Sequence, residues 1–212
     1  AKACLDLPSL VDTRFGTGED EGQLGQTAPF AGVPFAHTYL VPQTEPSKGE
    51  KKCISPYYTT NPQRNVTGIS GFRATHWLSG SCVQDYGSAT VMAATAAPGE
   101  GGIGTSEHEW QSAFNATSEI ARPHYYAVTL DRYDVRAEIT GTSRCGLLRF
   151  TFPEGKDRYL VLRPNSNQGK GKVAIDAASM TITGSNPVYR IYADQGLSAG
   201  FAGHFRLAVQ HG

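Results

Sequence analysis

From about Tyr125 onward apolar and polar residues alternate with a period of two, and this alternation narrows the fold more than any other feature of the chain. Val135, Ala137 and Ile139 fall on one side while Arg136, Glu138 and Thr140 fall on the other, as in a half-buried β-strand. The same period recurs at Leu148, Phe150 and Phe152, at Val188, Arg190 and Tyr192 against Tyr189, Ile191 and Ala193, and at Phe205, Leu207 and Val209. Turn formers separate these runs: Pro153-Glu154-Gly155, Asn165-Ser166-Asn167, Gly184-Ser185-Asn186-Pro187 and Gly200. Gly169-Lys170-Gly171-Lys172 reads as a basic hairpin tip. The first third, rich in Gly, Pro, Thr and Asn, predicts short strands joined by long loops. Only residues 106–114 have helical character, with Ser106 placed to cap a short turn ahead of Glu107 and Glu109. The expectation is an all-β fold, a two-layer antiparallel β-sandwich with long loops and at most one short helix.

At 212 residues, with no internal repeat and no low-complexity linker, the chain is expected to form a single domain over residues 1–212. Lys and Arg total 19 and Asp and Glu total 19, so no net charge draws it toward nucleic acid or an anionic membrane. No stretch reaches the roughly 18 to 20 apolar residues that span a bilayer, and the first residues lack a charged and apolar leader, so the expectation is a soluble, already processed chain. Cys4, Cys53, Cys82 and Cys145 are even in number and lack metal-ligand spacing, which favours disulfides over zinc. Of the three connectivities, pairing Cys53 with Cys82, its nearest neighbour in sequence, and Cys4 with Cys145 is the one expected. Asn65-Val66-Thr67 and Asn115-Ala116-Thr117 are N-glycosylation sequons. Cysteines and sequons together predict a secreted, extracellular glycoprotein.

The most unusual stretch is GFRATHWLSGSCVQDYG at residues 71–87, which gathers Arg73, His76, Trp77, Ser79 and Asp85 between glycines. A sugar ring calls for an aromatic platform against its C–H face and for charged or bidentate groups on its vicinal hydroxyls. Trp77, Arg73, His76 and Asp85 supply those types and are the predicted substrate-binding residues. The competing reading makes Trp77 a core residue, pairs Arg73 with Asp85 structurally, and lets His76 satisfy a buried backbone group. No nucleophile elbow, phosphate-binding loop or paired-His zinc motif occurs.

This stretch resembles the signature of glycoside hydrolase family 92, in which a Gly-Phe-Arg or Gly-Phe-Ser start leads through Thr-His to Asp-Tyr-Gly; here Gly71, Phe72, Arg73, Thr75, His76, Asp85, Tyr86 and Gly87 match. VDTRFGTG at residues 11–18 is similar to the family's Val-Asn-Pro-Phe-Ile-Gly-Thr-Gly opening, and Pro34-Phe35-Ala36 falls where the family carries Pro-Phe-Gly. Pro123, Tyr125, Tyr126, Val128 and Leu130, then Ala137–Thr140 and Arg149–Pro153, resemble later strands of the same domain. The departures are Asp12 and Thr13 for Asn-Pro, His124 for Gly, and Asn115-Ala116 where many members have Ser-His.

The resemblance implies a β-sandwich joined to a larger (α/α) barrel, with calcium-dependent, inverting hydrolysis of α-mannosides by an exo-acting enzyme whose acid and base lie on the barrel. No carboxylate pair in this chain is assigned as acid and base; Glu19, Asp20 and Glu21 read as a solvated turn. Calcium is implied as a cofactor with no site assigned. The implied partners are a mannose-containing glycan and the catalytic barrel. Two functional readings stand: the substrate-contacting half of a secreted α-mannosidase, or a stand-alone lectin-like mannose-binding sandwich, which the 212-residue length favours. A third treats the loop as scaffold alone.

Overall fold

The computed structural model describes residues 6–17, 19–20, 23–24, 27–44, 58, 68–76, 88–165, 169–189 and 198–210. The described chain is all-β. Its strands are β1 (Glu19–Asp20), β2 (Gln23–Leu24), β3 (Tyr39–Gln43), β4 (Gly71–Thr75), β5 (Ala89–Ala96), β6 (Ile120–Arg122), β7 (Tyr125–Leu130), β8 (Val135–Gly141), β9 (Gly146–Thr151), β10 (Asp157–Pro164), β11 (Lys172–Asp176), β12 (Thr181–Tyr189) and β13 (Ser198–Ala208). Sheet I has the order β10-β5-β4-β3, sheet II β6-β7-β8-β9 and sheet III β11-β12-β13, beside the β1–β2 ribbon; all pairings are antiparallel.

Sheets I and II are the two layers, and alternation explains why they face each other. Val135, Ala137 and Ile139 on β8 are buried while Arg136, Glu138 and Thr140 between them remain partly accessible. These join Tyr126, Val128 and Leu130 of β7 and Leu40, Phe72 and Met92 of sheet I in one core. Phe72 is the central rivet: its ring lies 6.4 Å from Tyr126 and 5.9 Å from Phe150, in the tilted arrangement aromatic pairs prefer. Leu148, Phe150 and Phe152, whose spacing predicted a strand, pack against this core from the β9 side.

The predicted helical segment is one turn, α1 (Glu107–Trp110). The Glu109 carboxylate accepts from the Ser106 backbone N–H at 2.7 Å, and that bond holds Glu109 below the usual carboxylate range. The turn ends where Trp110 buries its ring and donates from Nε1 to Ser70 O at 3.0 Å, which ties it to the entry of β4.

Three sequence expectations are corrected. Gly184-Ser185-Asn186-Pro187 is not a turn but the middle of β12. Asn186 is buried and donates its side-chain amide to Ser88 O, while Gly184 sits against the Phe205 ring, where a Cβ would come within 2.1 Å. The turn chemistry shows only as a register shift between Pro187 and Tyr189. Gly200, expected in a turn, lies inside β13 at φ +86°. Gly169–Lys172 is not a hairpin tip, because β10 and β11, which flank it, belong to different sheets.

Candidate functional site

Strand β4 carries the first half of the glycine-bracketed motif and divides it between two environments. Phe72 enters the inter-sheet core, while Arg73, paired with Val41 on β3 and Thr90 on β5, takes the opposite face. Arg73 is only 4% exposed, and its Nη2 donates to Ser88 Oγ at 3.1 Å. Around it runs a buried polar network. Asn165 Nδ2 donates to Ser88 Oγ at 3.1 Å, and Thr90 Oγ1 lies 3.1 Å from Gln43 Oε1 and 3.0 Å from Asn165 Oδ1. Asn186 brings sheet III onto the same group through Ser88 O. Such a network holds a backbone in one register, because any buried member left unpaired is costly.

His76 lies just beyond the end of β4 and is exposed. Its Nε2 meets Thr38 Oγ1 at 3.1 Å, next to the start of β3. The rim continues through His37, whose N–H donates to Ser143 O at 2.8 Å, and Gly32, whose N–H donates to Pro123 O at 2.9 Å. Turns from both sheets therefore meet at this end of the sandwich. Of the four predicted sugar-binding residues, His76 lies on this rim and Arg73, three residues earlier, is buried in the polar network at Ser88; Trp77 and Asp85 lie outside the described residues.

Sequence reasoning missed a second polar cluster. Glu119, between a 3₁₀ turn (Ala116–Ser118) and β6, has a fully buried side chain. It accepts from Tyr58 Oη at 2.9 and 3.1 Å, from Tyr126 Oη, and from Arg14 Nη1 at 3.3 Å. Arg14 is itself held by Asp12, with Nη2 to Oδ2 at 2.6 Å, and this pair lowers the Asp12 carboxyl. Burial first, then the Glu119 charge, pushes both tyrosine hydroxyls above their ordinary value. The only sequence signal was an Asp and an Arg two residues apart. On the outer face of sheet II, Glu138 is gripped by Arg149 at 2.6 Å and Tyr125 at 2.5 Å, and these hydrogen bonds bring it down to about 2.

Asn115 is exposed and caps the 3₁₀ turn; its Oδ1 accepts from Thr117 N at 2.9 Å and from Thr117 Oγ1 at 2.8 Å. Cys145, exposed between β8 and β9, makes no disulfide with a described residue. Cys4, Cys53, Cys82 and Asn65 lie outside the described residues, and so does the test of both expected pairings.

The model of the glycosyl hydrolase family 92 N-terminal domain matches residues 10–211. No curated protein matches the sequence. Among solved structures, the chain is similar to a family GH92 inverting mannosidase from Bacteroides thetaiotaomicron, with a TM-score of 0.74 and 24% identity over 96% of this chain and 25% of that one. It is also similar to a GH92 α-mannosidase from the same organism, with a TM-score of 0.67 and 26% identity over 86% of this chain and 23% of the relative. The chain thus spans about a quarter of the length of these relatives.

Proposed function

Because the chain belongs to glycosyl hydrolase family 92 through that family's N-terminal domain, we propose that it is the substrate-contacting sandwich half of a secreted exo-α-mannosidase whose hydrolytic groups lie on a larger catalytic domain. The observation that carries this reading is coverage: the family's N-terminal domain matches residues 10–211, and the chain spans about a quarter of the length of the GH92 mannosidases it resembles. Inverting hydrolysis needs two carboxyl groups about 6.5 to 9.5 Å apart, one donating a proton and one activating water. Three acidic side chains among the described residues are held by partners: Glu107 by Arg163 at 2.5 Å, Glu119 by two tyrosines and Arg14, and Glu138 by Arg149 and Tyr125. Among the described residues no three His, Cys, Asp or Glu side chains converge, and the calcium that the family resemblance implies is assigned no ligands.

The expected result is no turnover of an aryl α-mannoside by the homogeneous 212-residue chain, together with millimolar binding of mannose, about −4 kcal/mol, because half a cleft leaves the sugar largely solvated. Calorimetry and a continuous hydrolysis assay check both. Robust hydrolysis overturns the division of labour; micromolar binding lost in Trp77→Ala favours the lectin-like alternative.

Secretion is part of the same proposal, and its support is Asn115. With Oδ1 taken by Thr117, the amide nitrogen has no partner among the described residues and stands at an exposed turn, where a glycan fits without disturbing the core. Material from a eukaryotic secretory host is expected to lose mass on amidase treatment and to keep its mass in Asn115→Gln combined with Asn65→Gln. An unchanged mass in the unmutated chain removes this support.

A further inference from the structure

We propose that Phe35 is a sugar-stacking residue, an aromatic platform on the His76 rim for the C–H face of a pyranose unit of a mannose-containing glycan. The proposal rests on the carbohydrate reading above and adds to it a residue that neither the motif at residues 71–87 nor the family match assigns. Its starting point is a conflict between local geometry and residue type. Ala36 N–H donates to Val33 O at 3.2 Å and closes a four-residue turn with Pro34 and Phe35 at its centre. Pro34 fixes its own φ near −65°. Phe35 stands at φ +61°. Negative then positive φ is the type II arrangement, whose third position is normally Gly or Asn, because a Cβ crowds the backbone there.

A bulky residue in such a position is ordinarily held by burial. Within this domain Phe35 is not, being 96% exposed, so no packing inside the domain offsets the cost of its backbone. Its position suggests what the ring is for. Phe35 lies three residues before Thr38, hence at most about 11 Å away along the chain, and the Thr38 hydroxyl meets His76 Nε2 at 3.1 Å. The loop is pinned on both sides, by Gly32 N–H to Pro123 O at 2.9 Å and His37 N–H to Ser143 O at 2.8 Å. The ring therefore belongs to an anchored turn three residues from a hydroxyl that meets an imidazole. An apolar face next to a few convergent polar groups is what a pyranose requires, since one side of the ring offers C–H bonds and its edge offers hydroxyls.

The test uses the full 212-residue chain, methyl α-mannoside, saturation-transfer NMR and thermal melting. In the unmutated chain, saturation is expected to reach the sugar ring C–H protons. Phe35→Gly suits the positive φ and is expected to melt at the same temperature or higher while binding the mannoside about threefold to tenfold more weakly. Phe35→Trp is expected to bind at least as well as Phe35. Undiminished binding in Phe35→Gly, or a lowered melting temperature in that variant, overturns the proposal by assigning Phe35 no ligand or a role in the fold. If the unmutated chain binds no mannoside, the carbohydrate reading itself fails and the proposal falls with it, a result visible before any variant is made.

Discussion

Glu119→Ala is expected to lower the melting temperature of the chain by roughly 6 to 20 °C. Removing one partner of a buried ionic group costs about 3 to 5 kcal/mol, and each kcal/mol moves a domain of this size by about 2 to 4 °C. The size of the effect comes from what remains after the carboxylate is gone. Tyr58 and Tyr126 are both 0% exposed, and each directs its hydroxyl at Glu119. Without it, two buried donors lose their acceptor in a space that alanine leaves empty. Arg14 loses its link to the core and keeps Asp12 and the Ala116 carbonyl. Since Arg14 carries the turn ending at Thr17, whose hydroxyl bonds Arg14 O at 2.8 Å, that loop should loosen first. Glu119→Gln, which keeps one acceptor oxygen, should lose less than half as much. Thermal denaturation of the three proteins decides it, and a drop of under about 2 °C in the alanine variant would show that the cluster is no anchor.

How much of this was legible beforehand depended on how local its cause is. Strand β8 could be read directly, because the residues that face the core are simply those two apart in the chain. The same holds for Leu148, Phe150 and Phe152. The stretch from Gly184 to Pro187 could not, because its turn-forming composition is overruled by contacts distant in sequence: Ser88 captures Asn186, and the Phe205 ring occupies the space that Gly184 leaves open. A third sheet was invisible for the same reason, since alternation says that a segment is a strand and not which strands it joins. At the site, the resemblance read from the motif at residues 71–87 named the family whose N-terminal domain matches residues 10–211. Its chemistry was harder to assign, because residue type does not distinguish Arg73, turned inward to Ser88, from His76, one strand end away and exposed. Glu119 and Tyr58 lie 61 residues apart, and no spacing rule connects them.

Gly71→Ala should destabilise the chain by about 2 to 6 kcal/mol, the sum of a strained backbone at about 1 to 3 and an overpacked contact at about 1 to 3, and should abolish mannoside binding at temperatures where the parent binds. Gly71 opens β4 at φ +147°, and a Cβ there would stand 2.5 Å from Thr90 Cγ2 and 2.9 Å from Val91 O. The threonine methyl can rotate only by pulling Thr90 Oγ1 away from Gln43 and Asn165. The carbonyl of Val91 is fixed as well, because it belongs to β5, the strand between β4 and β10 in sheet I. The strain therefore falls on β4 itself, which places Phe72 between Tyr126 and Phe150, Arg73 against Ser88, and His76 on the rim. Gly155→Ala separates the two causes. Gly155 has φ +71° but nothing within 4 Å of the added carbon, so that variant carries the backbone strain alone and should lose only about 1 to 2 kcal/mol, with binding intact. Denaturant unfolding of both variants, followed by calorimetry with mannose on each, reads the difference. Equal losses in the two would mean that β4 tolerates the contact, and that the first glycine of the motif serves turn geometry and not the close approach of two strands.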